Sequence, residues 1–360
     1  MVPDKSIIKP RSVFLAAIGC LALASCVVQV STNPTEDGVP ALQTAPDFDA
    51  ARAAADLAPD SALYHTQVFD WQDASRNRSV PARLYLPTID GGSAAQAVPL
   101  VVFSHGIGGS REGYKYLGRY FAANGYASLH LQHVGSDRQL WFGNPFSLLS
   151  RLNDAAQESE AIDRVRDLSF ALDQLLASDI GARVDRQRII AAGHSYGANT
   201  TMLAVGAQVE REGRTLPLRD ARIKAAILLS APPFYGSKNT GRILGDINIP
   251  TLHITATEDE IVIPGYRSGL ADRLDVYEAM GSGHAAPKTL AVFKGGSHSI
   301  FTDRMGTGGI ELNPKVKAAT RDLALAFLNA LFAGDAEALG RWQSKNARLI
   351  DRFDQKFASR

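Results

Sequence analysis

The sequence predicts an α/β fold with a mostly parallel central sheet flanked by helices on both faces. Three observations carry the prediction. Short, β-rich apolar runs alternate with helix-patterned stretches from Thr66 onward. One run, residues 188–192, passes through a glycine-flanked serine, Gly193-His-Ser-Tyr-Gly197, into small, helix-compatible residues. A hydrophobic content of 45% in 360 residues supplies a sizeable core for one large domain or two small ones.

The strand candidates are residues 80–86, 99–104, 127–132, 188–192, 225–230, 251–255 and 289–293, each a short apolar run. Helices are predicted over 114–124, 158–177, 198–208 and 315–331. Within 158–177, Ile162, Val165, Leu168, Leu172, Leu175 and Leu176 recur at helical spacing, which reads as core packing. Two long loops break the alternation. Residues 134–155 carry Trp141, Phe142, Pro145 and Phe146, and residues 231–247 carry Pro232, Pro233, Phe234 and Tyr235. Both follow strand ends, where open α/β sheets bind ligands, so Trp141, Phe142, Phe234 and Tyr235 are expected to wall an acyl or alcohol pocket. The alternative is that they seal the rim of the core.

Ser195 is the candidate nucleophile, because strand, G-x-S-x-G and helix in that order form a sharp turn that lifts a hydroxyl clear of the backbone. Gly193 and Gly197 are needed there because a β-carbon would strike the neighbouring elements. A serine hydroxyl needs a base active near neutral pH and a carboxylate to orient that base. The segment after 251–255, Ala256-Thr-Glu-Asp-Glu260, offers Asp259, with Glu258 and Glu260 as competitors. The segment after 289–293, Lys294-Gly-Gly-Ser-His298, offers His298 in a small-residue loop. His194 is expected to point to the wrong side and His133 to support the rim. For the oxyanion, the loop Ser104-His-Gly-Ile-Gly-Gly-Ser110 supplies one main-chain N–H, assigned to Ile107 with Gly106 and Gly108 as alternatives. Tyr196, at the start of the following helix, supplies the second. No G-x-x-x-x-G-K is present, and no G-x-G-x-x-G opens a dinucleotide unit, which argues against phosphate cradling.

With these residues in place the chain resembles a bacterial member of the α/β-hydrolase superfamily, and within it dienelactone-hydrolase-like proteins related to platelet-activating-factor acetylhydrolases. The resemblance spans residues 66–331 and rests on Phe103-Ser-His-Gly-Ile-Gly-Gly, Tyr120-Phe-Ala-Ala-Asn-Gly-Tyr126, Leu129-His-Leu-Gln-His133, Gly193-His-Ser-Tyr-Gly, and the Asp259 and His298 segments. It implies the α/β-hydrolase fold and hydrolysis of carboxylic esters, lipid or short-chain acyl esters among them, by a Ser-His-Asp triad with no metal or organic cofactor. True dienelactone hydrolases use cysteine, so Ser195 argues against their reaction. Because the same fold also serves as a binding scaffold, a non-catalytic, envelope-anchored binding module is the alternative.

The ends of the chain read differently. Lys5, Lys9 and Arg11 precede an apolar run over 13–24 that ends in Leu-Ala-Ser-Cys26, the pattern of a secretion signal resembling a bacterial lipobox. Residues 1–25 are thus expected to be a signal peptide and Cys26 a lipidation site holding the protein to a membrane of the cell envelope. An ordinary signal cleaved nearby is the alternative. Val27 after the cysteine favours the outer membrane where one exists. Both cysteines, Cys20 and Cys26, lie in this segment, so the folded domain contains no thiol. Loss of residues 1–25 removes three basic groups and one acidic one, taking the formal charge from +1 to −1, which gives no reason to expect nucleic acid as a partner. Residues 26–64 read as a flexible tether and 65–334 as the catalytic domain. Residues 335–360 read as a basic amphipathic helix, with Leu339, Trp342, Ile350, Phe353 and Phe357 on one face and Arg341, Lys345, Arg348, Arg352, Lys356 and Arg360 recurring beside them. That helix either lies on an anionic membrane or packs on the domain.

Overall fold

Nine strands form one sheet in the computed structural model, which describes residues 63–88, 97–211, 214–234, 239–263, 266–284 and 286–356. The strands are β1 (Tyr64–Asp73), β2 (Arg78–Pro87), β3 (Val98–Ser104), β4 (Ala127–Leu131), β5 (Val184–His194), β6 (Ile223–Leu229), β7 (Thr251–Glu258), β8 (Lys288–Ser297) and β9 (Ile350–Lys356). Their spatial order is β1-β2-β4-β3-β5-β6-β7-β8-β9. The six strands from β4 to β8 run parallel, while β1, β2 and β9 pair antiparallel at the two edges. The expected signal peptide, Cys26, the expected tether up to residue 62, Tyr235 and Phe357 lie outside the described residues.

The alternation of side chains explains why these runs are apolar throughout. In β3, Leu100 and Val102 enter one core cluster and Val101 and Phe103 the other; in β5 the same split separates Ile189 and Ala191 from Ile190 and Ala192. The first face is covered by Glu158–Ala177, through Val165, Leu168, Leu172 and Leu175, and by the helix after the serine, Tyr196–Ala204, through Met202 and Leu203. Helices Lys115–Ala123, Leu312–Phe332 and Ala338–Asn346 cover the second.

The structure departs from the sequence expectation at both edges. β1 has no apolar period-2 signature because most of it is exposed: Tyr64 is buried in a small cluster with Tyr85 and Ala122, and Phe69 and Trp71, stacked with ring centroids 4.4 Å apart, pack on the main core. The tail is not one amphipathic helix over 335–360. Ala338–Asn346 is helical, with Trp342 buried and its Nε1–H donating to the Ala319 carbonyl at 2.8 Å, but Ile350–Lys356 is a strand registered on β8. The reason is the open edge of β8, whose backbone groups take a partner in this way. The basic side chains of that strand meet carboxylates: Arg352 pairs with Asp354 and Glu278, and Lys356 with Glu278. The folded domain therefore runs on through residue 356 rather than ending at 334. The loop 134–155 is likewise not irregular throughout. It contains turns Arg138–Trp141 and Pro145–Ser147, capped by the side chains of Asp137 and Asn144, and a helix, Leu148–Ala155.

Candidate active site

β5 ends directly in Ser195, whose backbone takes φ 56° and ψ −120° before the helix Tyr196–Ala204 begins. This conformation is costly for a residue with a side chain, on the order of 1–3 kcal/mol, and persists only where its surroundings enforce it. The Ser195 N–H donates to the Leu229 carbonyl at 2.9 Å, and the Ser195 carbonyl accepts from Ala198 N–H at 2.8 Å. The two glycines are needed: a β-carbon at Gly193 would stand 2.2 Å from the Gly197 carbonyl oxygen, and one at Gly197 would stand 1.9 Å from that of Ser104.

Three side chains remote in sequence converge there. His298, in a short turn after β8, places Nε2 2.8 Å from Ser195 Oγ and Nδ1 2.7 Å from Asp259 Oδ1. An ionised carboxylate can only accept, so the proton sits on Nδ1 and Nε2 is left to accept from the serine hydroxyl. Gly295 and Gly296, at φ 68° and 91°, make the turn that carries the imidazole back toward the serine. Asp259 is fully buried, and its second oxygen accepts from Thr255 Oγ1 at 2.7 Å. Burial opposes its charge, but the hydrogen bond and charge of His298 and the Arg273 guanidinium outweigh it, so the carboxyl stays well below the ordinary carboxylate range. Glu258 and Glu260 are exposed.

His194 has a role the sequence did not suggest. Its Nε2 lies 2.9 Å from the His298 carbonyl, which can only accept, so Nε2 carries the proton and Nδ1 accepts from Tyr114 OH at 2.8 Å. Burial, with the nearby His298 next, pushes its pKa down to about 3, keeping it neutral. The side chain thus ties the turn holding His298 to the strand holding Ser195.

The loop after β3 lies against Ser195: a β-carbon on Gly106 would come within 3.3 Å of Ser195 Cβ. Its N–H groups are not equivalent. Gly106 donates to Tyr114 OH at 3.4 Å and Gly108 to the Ser136 carbonyl at 2.8 Å, whereas the Ile107 N–H meets no acceptor within the protein among the described residues. Tyr196 is the first residue of its helix, where no intrahelical acceptor exists for the N–H. Arg164, fully buried, donates through Nη2 to the His105 carbonyl, through Nη1 to Ser136 Oγ at 2.8 Å and through Nε to Thr200 Oγ1 at 2.8 Å, with its guanidinium 4.5 Å from the centre of the Tyr196 ring. Burial pulls its pKa down to about 10, so it stays charged at neutral pH. Beside it, His133 is wholly buried, with Nδ1 3.1 Å from Asp167 and Nε2 3.0 Å from Ser104 Oγ. The sequence held a signal for this network, since Glu160, Arg164 and Asp167 occupy buried turns of an otherwise apolar helix face.

The aromatic residues divide. Trp141 covers the Gly-rich loop after β3, its Nε1–H donating to the Gly108 carbonyl at 2.9 Å. Phe142 is largely exposed, and Phe234 is partly buried against the core cluster that also holds Met202 and Leu203. Among the described residues, no group of three or more His, Cys, Asp or Glu could hold a metal ion.

Residues 78–139 match the family model for platelet-activating factor acetylhydrolase, isoform II. That stretch holds β2 to β4 and the Gly-rich loop. No curated protein matches the chain. Among solved structures, a ferulic acid esterase from Streptomyces cinnamoneus superposes with TM-score 0.55 at 23% identity, covering 76% of this chain and 92% of its own. A puromycin-hydrolyzing peptidase from Mycobacterium tuberculosis superposes with TM-score 0.52 at 17% identity, covering 75% of this chain but 40% of its own. With the parallel sheet, the strand order and the strained serine turn, these likenesses identify the chain as having the α/β-hydrolase fold.

Proposed function

We propose that the protein is a serine hydrolase of carboxylic esters. The observation that carries this reading is the unbroken relay from Asp259 through His298 to Ser195, with links of 2.7 and 2.8 Å, below a loop whose Ile107 N–H is free. His298 Nε2 takes the Ser195 proton as Oγ attacks the ester carbonyl. The Ile107 and Tyr196 N–H groups hold the oxyanion, and the protonated imidazole gives its proton to the departing alcohol. Water, deprotonated by the same nitrogen, then attacks the acyl-enzyme and releases the acid. Asp259 stays charged throughout.

The matched acetylhydrolase model and the ferulic acid esterase are named for ester substrates, which favours esters over amides. Apolar acyl or alcohol groups suit the rim. Trp141, Phe142, Phe146, Leu149, Val262, Ile263, Met305 and Ile310 are all exposed and stand on segments that leave the carboxyl ends of β4, β7 and β8. So much exposed apolar surface at one end of a sheet is a signature of contact with an apolar ligand or lipid. A binding scaffold has no need of the relay, and nothing favours that reading. A fluorophosphonate should label the wild type and spare Ser195→Ala, and p-nitrophenyl esters should be turned over only by the labelled protein. Equal labelling of both would remove Ser195 from the role. Envelope anchoring through Cys26 is part of the proposal, and Cys26→Ser should release the protein from membranes.

A further inference from the structure

We propose that His105 is a positioning residue for the oxyanion donor: its Nδ1–H holds the Gly106 carbonyl, so that the opposite end of the same peptide, the Ile107 N–H, is presented beside Ser195. The proposal rests on the serine-hydrolase reading above and assigns that site a residue outside the triad. His105 is 1% exposed, with Nδ1 2.7 Å from the Gly106 carbonyl oxygen. Its Nε2 faces the His133 backbone N–H at 3.1 Å. A main-chain N–H can only donate and a carbonyl can only accept, so both contacts independently put the proton on Nδ1. No described peptide bond is cis, and in a trans peptide the C=O and N–H point in opposite directions. Fixing the Gly106 oxygen therefore fixes the line along which the Ile107 N–H points.

The rest of the loop is built around this ring. The Gly106 oxygen also accepts from Gly109 N–H at 3.0 Å, and a β-carbon on Gly109 would fall 2.8 Å from His105 Cβ, so backbone lies directly on the imidazole. One peptide earlier, Arg164 holds the His105 carbonyl and Tyr114 OH accepts from Gly106 N–H. A second donor on the Gly106 oxygen also polarises the peptide and strengthens its N–H as a donor. Burial and then the charge of Arg164 push the imidazole well below its ordinary pKa, so His105 keeps one tautomer at neutral pH.

Two substitutions separate the two ring nitrogens, because an asparagine amide nitrogen can stand where Nδ1 was, and a glutamine amide oxygen where Nε2 was. His105→Asn keeps the donor and drops the acceptor facing His133, while His105→Gln does the reverse. Turnover and thermal midpoint should therefore come apart. His105→Gln is expected to keep its midpoint but lose about 30- to 100-fold in kcat with KM changed less than about threefold, as for loss of an oxyanion donor's alignment. His105→Asn is expected to melt lower yet hold kcat within about fivefold of wild type. Turnover that merely follows stability in both variants, or equal turnover in the two, overturns the proposal. In the wild type, imidazole 15N spectra should show His105 as the Nδ1–H tautomer from about pH 5 to about pH 8. An Nε2–H tautomer or an imidazolium there overturns it whether or not either variant folds. A wild type that neither reacts with fluorophosphonate nor turns over esters overturns the serine-hydrolase reading instead, while an active wild type with an unimpaired His105→Gln overturns only the role of His105.

Discussion

Replacing Asp259 with asparagine removes one negative charge at nearly constant volume, from a site where three donors converge and no solvent reaches. The amide group that takes its place can donate as well as accept, so His298 is free to adopt the Nε2–H tautomer, which cannot take a proton from Ser195. Where the equivalent change has been made in serine proteases, kcat falls by about 10⁴, or roughly 5–6 kcal/mol of transition-state stabilisation, and the same order is expected here. Stability suffers separately. Arg273, 3.4 Å from Asp259 and almost wholly buried, is left as a charge without its carboxylate. Breaking a buried pair in this way costs about 3–5 kcal/mol, and the lower end applies because Arg273 keeps bonds to Ser268 and Gly269. The pH dependence has a definite sign. The folded carboxyl is depressed, so its contribution is present above the unfolded value of about 4 and is lost as pH falls through the folded one. The gap in thermal midpoint between wild type and Asp259→Asn should then be widest at neutral pH and begin to close below about pH 4. Steady-state turnover of a p-nitrophenyl ester and calorimetry at several pH values read both effects, with Glu258→Gln and Glu260→Gln as controls expected to match wild type. If Asp259→Asn retained more than about a tenth of wild-type kcat while either control fell, the acid would be misassigned.

Gly197→Ala should not yield folded protein, because its β-carbon would lie 1.9 Å from the Ser104 carbonyl oxygen; Gly125→Ala, at φ 84° with open space around it, should cost only about 1 kcal/mol in denaturant titration. His194→Phe removes the ties to Tyr114 and to the His298 carbonyl, and is expected to lower kcat about 10- to 100-fold with unchanged fluorescence of the folded state, wild-type kcat counting against the tie. Trp342→Ala should destabilise by about 3–5 kcal/mol and removal of residues 347–360 should promote aggregation through the bared edge of β8; a truncated protein as stable and monomeric as the full chain would show the tail to be separable. Phe142→Ser with Phe146→Ser should weaken hydrolysis of long-chain esters several-fold more than that of acetate esters, since a buried methylene is worth about 0.8 kcal/mol; equal losses across chain length would clear these rings of any contact with the acyl chain.

Elements whose cause is local are legible in the linear chain. Seven of the nine sheet strands announce themselves as apolar runs, six of them because parallel strands are buried on both faces, and Glu158–Ala177 is legible from its 3.6-residue period. Ser195 and His298 are candidates from turn chemistry, in which a few glycines at fixed offsets leave the backbone little freedom, whereas the chain alone leaves Ile107 beside Gly106 and Gly108, whose N–H groups are paired in the folded loop. Features set by a partner far along the chain emerge with the folded contacts. β1 and β9 are strands because an edge was available to pair with, not because of their own pattern. Asp259 is distinguished from Glu258 and Glu260 by which carboxylate is buried beside Arg273 and His298, a difference that three adjacent acids cannot express in sequence. His105, His194 and Arg164 look like ordinary polar residues in the linear chain. Their single protonation states and fixed directions arise because burial removes water as a partner and leaves each donor one acceptor to meet.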